Sequence, residues 1–144
     1  MKADLPKPTG EHVFSTTRLI TFRDADPAGV LFFARYLALA HDAYEEFLAS
    51  RGVSFRSQLT EGLFILPIIH AECDYRRPLW IGDRATLRVT IVEIKRRTFT
   101  VAYELLTPEG KRAATCRTVH AAVDTATRRA IPLPSAILAA LQPT

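Results

Sequence analysis

Residues 22–36 read Phe22-Arg23-Asp24-Ala25-Asp26-Pro27-Ala28-Gly29-Val30-Leu31-Phe32-Phe33-Ala34-Arg35-Tyr36, which sets two carboxylates in a tight turn between a strand-like run and a helical one. Asp26 precedes a proline and is biased toward an extended backbone, while the Ala28-Gly29 pair lets the chain pass close to a neighbour. The carboxylate therefore faces a helix start. Unpaired N–H groups and the positive end of the helix dipole gather there, and both favour an oxyanion or a polarised carbonyl oxygen. Two readings stand side by side: Asp24 or Asp26 caps the helix, as Asp commonly does, or a carboxylate here does chemistry.

The flanking sequence gives the fold class. Residues 12–22 carry Val13, Phe14, Leu19, Ile20 and Phe22 among Ser and Thr, the composition of a first strand. From Phe33 onward the apolar residues Phe33, Tyr36, Leu37, Ala40, Tyr44, Phe47 and Leu48 recur at helical spacing, so a long helix with one buried face is predicted, ended by Gly52. Arg35, Asp42, Glu45 and Glu46 fall on its other face. A polar stretch at 54–62 separates it from strand-like runs at 63–75, 84–94, 98–106 and 112–124. The breaks between them are Pro78 with Gly82-Asp83, Lys95-Arg96-Arg97, and Thr107-Pro108-Glu109-Gly110. Leu87, Val89, Ile91 and then Phe99, Val101, Tyr103, Leu105 alternate, as in a sheet covered on one face. Strand, long helix and antiparallel meander make an α+β arrangement with the helix laid on the sheet. A short helix is expected over 134–141, and residues 1–11, with Pro6, Pro8 and Gly10, read as a loose leader.

At 144 residues and 48% hydrophobic content, residues 1–144 fit one globular domain. The net charge of +4, from 19 basic and 15 acidic residues, is a mild excess that permits an anionic partner; with no nucleic-acid motif beside it, a phosphorylated small molecule is as compatible as nucleic acid, which the charge does not require. Cys73 and Cys116 lie far apart with no Cys-x-x-Cys and no clustered His, so buried reduced thiols are expected, with neither a disulfide framework nor a metal site. No apolar run reaches the roughly 18 residues of a membrane span, and the first eleven residues contain no signal core, so a soluble, cytoplasmic protein without a membrane partner is expected.

The string Asp-x-Asp-Pro-Ala-Gly-Val followed by two aromatics and a Tyr resembles the signature of the 4-hydroxybenzoyl-CoA thioesterase family of hotdog-fold enzymes, most closely over residues 18–52. The resemblance implies a single hotdog thioesterase domain, its antiparallel sheet wrapped around one long helix. It also implies Asp26 as the catalytic nucleophile or general base and the backbone N–H of Phe33 as the group that polarises the thioester carbonyl. Tyr36 becomes a substrate-binding candidate, and so does His41, which lies eight residues after Phe33 with Leu37 midway, so that all three project from a similar helical face; Lys95, Arg96 and Arg97 become candidates for the CoA phosphates. Each has a plainer alternative: His41 meets a carboxylate or another subunit, and the basic turn is merely solvated. The helix segment Ala40-His41-Asp42-Ala43-Tyr44-Glu45-Glu46 is also similar to hydrolases of 1,4-dihydroxy-2-naphthoyl-CoA. The expected activity is hydrolysis of an aromatic acyl-CoA, without metal or cofactor beyond the CoA of the substrate. The expected assembly is a homo-oligomer, a dimer from the uncovered sheet edge and a tetramer from the resemblance. A non-catalytic acyl-CoA or acyl-carrier binding module on the same fold is the alternative, since fold alone never fixes activity.

Overall fold

The computed structural model describes residues 5–143, and its elements in chain order are β1 (Phe14–Leu19), α1 (Arg35–Ser50), α2 (Phe55–Glu61), β2 (Phe64–Ile65), β3 (Ile68–Tyr75), β4 (Arg84–Ile94), β5 (Thr98–Leu106), β6 (Arg112–Ala121), β7 (Val123–Asp124) and α3 (Ser135–Leu141). Five strands form one antiparallel sheet in the order β1-β4-β5-β6-β3, and β2 pairs with β7 beside it. The helix α1 lies against this sheet. It buries Tyr36, Leu39, Ala40, Ala43, Tyr44, Phe47 and Leu48 against sheet residues that include Leu87, Val89, Val101, Tyr103 and Leu105. Burying large apolar side chains such as Phe47 and Leu48 contributes about 1.5–3 kcal/mol each, so the single apolar stripe of α1 holds the helix in place.

Beyond the shortening of the first strand to Phe14–Leu19 and the split of the run at 112–124 into β6 and β7, four features depart from the sequence expectation. The helix begins at Arg35, leaving Phe33, 63% exposed, in the turn before it. The polar stretch at 54–62 contains α2, capped by Ser54, whose Oγ accepts the Ser57 N–H at 3.3 Å, and closed by Gly62 in a left-handed conformation (φ 66°). The run at 63–75 splits into β2 and β3 around Pro67, which has no N–H to give a ladder. The fourth is the leader. Its first four residues lie outside the described ones, and Leu5 to Glu11 has no regular structure, yet Pro8 is buried and the Leu5 N–H donates to the Asp74 carboxylate. The short helix at the tail is present as α3.

Candidate active site

After β1 the chain makes one 3-10 turn, Phe22–Asp24, which disposes of the first aspartate. Thr21 Oγ1 donates to Asp24 Oδ2 at 2.8 Å, and Asp24 Oδ1 accepts Arg35 Nε at 3.0 Å, with Arg35 Nη2 at 2.9 Å. Burial disfavours the charge on Asp24, but the Thr21 hydrogen bonds and the Arg35 guanidinium outweigh it and hold the carboxyl below its usual range. Asp24 is thus a structural tie from this turn to the first residue of α1. Neither aspartate caps α1, whose N-cap is Ala34 with no side-chain hydrogen bond; Asp24 pairs with Thr21 in a capping box at the 3-10 turn instead.

Asp26 is free for other work. Its backbone N–H donates to Val30 O at 2.9 Å and its carbonyl accepts the Gly29 N–H at 2.9 Å, closing a turn in which Gly29 takes φ 84°. That left-handed conformation is why a glycine stands there. Asp26 Oδ1 accepts the Ala28 N–H at 2.8 Å, an Asx turn that fixes the carboxylate; Oδ2 has no hydrogen-bond partner among the described residues. The far side of the turn is pinned by Leu31 N–H to Leu79 O at 2.7 Å and Ile81 N–H to Gly29 O at 3.0 Å. One oxygen is anchored and the other is available.

A cleft of 390 Å³ joins Asp26 to Phe33, Tyr36, Tyr75, Arg76 and Arg77. Phe33 lies just outside the helix, and its N–H meets no acceptor among the described residues. The residue preceding α1 is Ala34, whose methyl group cannot cap it, so among the described residues no side chain caps this helix start. Tyr36 is buried and stands edge-on to Tyr75, ring centres 4.8 Å apart at 82°. Burial, then the neighbouring Cys73, Cys116 and Asp26, pushes its hydroxyl up to about 12, so Tyr36 is neutral throughout the ordinary pH range. The combination of a carboxylate oxygen without a partner and an amide without a partner can attack, or activate water at, a carbonyl carbon while polarising its oxygen.

Not every candidate comes to this cleft. The ring of His41 lies 5.5 Å from that of Tyr44 and stacks on Phe55 at 6.4 Å and 14°. It points elsewhere because Phe33 is outside the helix; five residues separate His41 from Tyr36, the nearest helical residue of the cleft, which puts them about 140° apart around α1. Lys95, Arg96 and Arg97 form the exposed β4–β5 reversal, where Lys95 N–H donates to Thr98 O at 2.8 Å and Lys95 Nζ is 3.7 Å from Glu93. The Asp26 turn sits at the opposite end of β4, and eleven strand residues span roughly 35 Å, so one protomer does not bring the basic turn to its own cleft. The cations that do line it are Arg76 and Arg77, which follow β3 directly.

Tyr75 was not legible from sequence as a site residue, because its contact with Phe33 spans 42 positions. The only available signal was its place at a strand end ahead of two arginines and Pro78. His70 Nε2 lies 3.4 Å from Glu72 Oε1, and no group of three metal ligands occurs among the described residues. The two cysteines, distant in sequence, stand directly opposite on β3 and β6 with sulfurs 2.7 Å apart; both are free thiols, Cys116 donating to Cys73. His120, which sequence left without a role, is fully buried in the core.

An antiparallel sheet laid around one long helix, with a carboxylate turn at the helix approach, defines the class as hotdog-fold thioesterases. Residues 20–141 match the Thioesterase-like superfamily, and the chain belongs to it. A 1,4-dihydroxy-2-naphthoyl-CoA hydrolase of Rippkaea orientalis is 35% identical over 130 residues, covering 89% of this chain and 94% of that protein. The enzyme of the same name from Synechococcus elongatus is 41% identical over 118 residues, 81% of this chain and 86% of its own. A solved 1,4-dihydroxy-2-naphthoyl-CoA thioesterase from Synechocystis superposes with a TM-score of 0.85 at 32% identity, covering 89% of this chain and 94% of that one. No helix among the described residues is long and apolar enough to cross a membrane.

Proposed function

We propose that this protein hydrolyses an aromatic acyl-CoA to the free acid and CoA, with 1,4-dihydroxy-2-naphthoyl-CoA the first candidate substrate and 4-hydroxybenzoyl-CoA the second. The observation that carries the chemistry is the pairing, in one cleft, of Asp26, with one carboxylate oxygen unpartnered, and the unpartnered N–H of Phe33. The relatives named above support the substrate class.

The thioester carbonyl oxygen accepts from the Phe33 N–H, which strengthens as negative charge develops on that oxygen. Asp26 then acts in one of two ways. As nucleophile it forms a mixed anhydride with the acyl group, the C–S bond breaks, CoA leaves as thiolate, and water hydrolyses the anhydride; as general base it takes a proton from the water that attacks the carbon directly. A thiolate is a good enough leaving group, with a thiol pKa of about 8.5, that no dedicated acid is required. CoA belongs to the substrate and the scheme uses no cofactor. Tyr36 forms part of the wall against the acyl group.

Exposed Ile68 and Ile69 on the edge strand β3 favour pairing with a second copy, since a bare apolar edge is a liability. In such a homo-oligomer Lys95, Arg96 and Arg97 reach the CoA phosphates of a neighbouring copy's cleft, while Arg76 and Arg77 flank the cleft of their own. Cytoplasmic placement completes the proposal, because a multiply phosphorylated substrate does not cross membranes. A hydrolysis screen with free-thiol detection over aryl, short aliphatic and long aliphatic acyl-CoA thioesters tests it. Highest kcat/KM on the aryl thioesters is expected; a preference for aliphatic chains, or no turnover, overturns it.

A further inference from the structure

We infer that Tyr75 is a positioning residue: by holding the peptide of Phe33, it sets the amide that polarises the substrate carbonyl. The inference rests on the reading just proposed and adds to it a residue on the opposite side of the cleft.

Residues 32–34 form the short link between the strand-like bridge at Leu31 and the helix that starts at Arg35. Their tethers are few. The Phe32 N–H donates to Asp24 O at 2.9 Å and the Arg35 N–H donates to Phe32 O at 2.9 Å, so Phe32 is held at both its peptide groups. Phe33 is not. Its ring is exposed, apart from an edge contact with Phe32 at 4.8 Å, and gives little anchorage. Its N–H has no partner among the described residues, as a carbonyl-polarising amide requires. Its carbonyl oxygen is held by one group among the described residues, the Tyr75 hydroxyl, at 2.9 Å.

Tyr75 is itself braced. It is the last residue of β3, in register with Ala114 of β6, and its ring stands edge-on to buried Tyr36. Nearly half of the residue is exposed toward the cleft, so packing in the core does not account for its position. Burial and the adjacent thiol of Cys73 push that hydroxyl up to about 12, so it remains a donor throughout the pH range of a hydrolase. The sheet is thus tied through one hydrogen bond to the residue whose amide must sit within about 3 Å of the developing oxyanion. A shift of about 1 Å in such a group costs up to a hundredfold in rate, and loosening one tether should cost part of that.

Tyr75→Phe keeps the ring and its packing and deletes the hydroxyl, with its bond to the Phe33 carbonyl and its contact with the Cys73 thiol on the same strand. It is compared with the wild type on an aryl-CoA thioester and on the corresponding thioether, in which a methylene replaces the carbonyl so that no oxyanion can form. Titration with the thioether also counts competent sites, so kcat is expressed per site and partial unfolding does not imitate the effect. The expected result is a fall in kcat of about tenfold, with the thioether dissociation constant within twofold of the wild type. A fall of less than threefold overturns the inference. So does equal weakening of thioether binding, which would mean that Tyr75 contacts the substrate or merely supports the fold. Asp26→Asn in the same assay separates the two levels: full activity in that variant removes the proposed mechanism itself, whatever Tyr75→Phe does.

Discussion

Protonating His120 should cost the protein stability that no surface histidine controls. The ring is fully buried, stacked on Phe99 at 4.8 Å and 4° and on Tyr44 at 4.4 Å and 28°, and its Nε2 shares a 2.8 Å hydrogen bond with Thr118 Oγ1, which in turn lies 3.0 Å from the Tyr103 hydroxyl. Burial first, and the nearby His41 second, outweigh the backbone of Leu66 and push its pKa down to about 4 from an ordinary 6.5. The folded pKa is depressed for a cationic acid, so the full stability is present above pH 6.5, where both states are neutral. It is lost as pH falls, because the unfolded chain takes the proton first. Linkage gives about 2 kcal/mol lost at pH 5 and about 3 kcal/mol at most once pH drops below 4. The assay is urea unfolding at pH 7.5 and pH 5.0 on the wild type and on His120→Gln, which cannot titrate but still offers Thr118 a hydrogen bond. The variant's own packing cost cancels in the difference. The wild type should lose about 2 kcal/mol more than His120→Gln on acidification; an identical pH dependence in both proteins refutes the reasoning.

Two further expectations follow from the placement of charged and aromatic groups. Neutralising Lys95, Arg96 and Arg97 together should raise KM for a CoA thioester at least several-fold while leaving a truncated thioester that lacks the nucleotide unchanged; equal effects on both remove the phosphate role. His41→Leu should slow hydroxylated and unsubstituted aryl-CoA substrates by the same factor, because the ring stacks on Phe55 away from the cleft. A selective penalty of about 1–3 kcal/mol on the hydroxylated substrate would return His41 to the acyl site.

What could be read from the residues alone was whatever depended on short sequence separation. The stripe from Tyr36 to Leu48 and the alternation in β4 and β5 are local periodicities, and both survived into the fold. Pro27 and Gly29 likewise marked the Asp26 turn correctly, since each constrains its own dihedrals. The helix α2 escaped because Phe55–Glu61 buries no residue and so carries no apolar stripe, although Ser54 and Gly62 were ordinary cap residues at its ends. His41 shares a helical face with Phe33 only if the helix includes Phe33, and α1 starts two residues later, at Arg35. Tyr75 against Phe33, Arg35 against Asp24 and Cys73 against Cys116 are products of strand register and chain reversal, and no pattern within either partner's neighbourhood announces them. The same holds for the basic turn, whose distance from Asp26 is fixed by the length of β4 and the direction in which it runs.

The most direct measurement is turnover of an aryl-CoA thioester by Asp26→Asn, followed by thiol release under single-turnover and steady-state conditions beside a thermal melt. The Asn side chain keeps the Asx-turn acceptor that holds Ala28 N–H, so the fold and melting temperature should be unchanged, while kcat/KM falls about a hundredfold or more with the loss of nucleophile or base. A folded Asn variant that releases CoA within a few-fold of the wild-type rate would contradict the assignment of the chemistry to this turn.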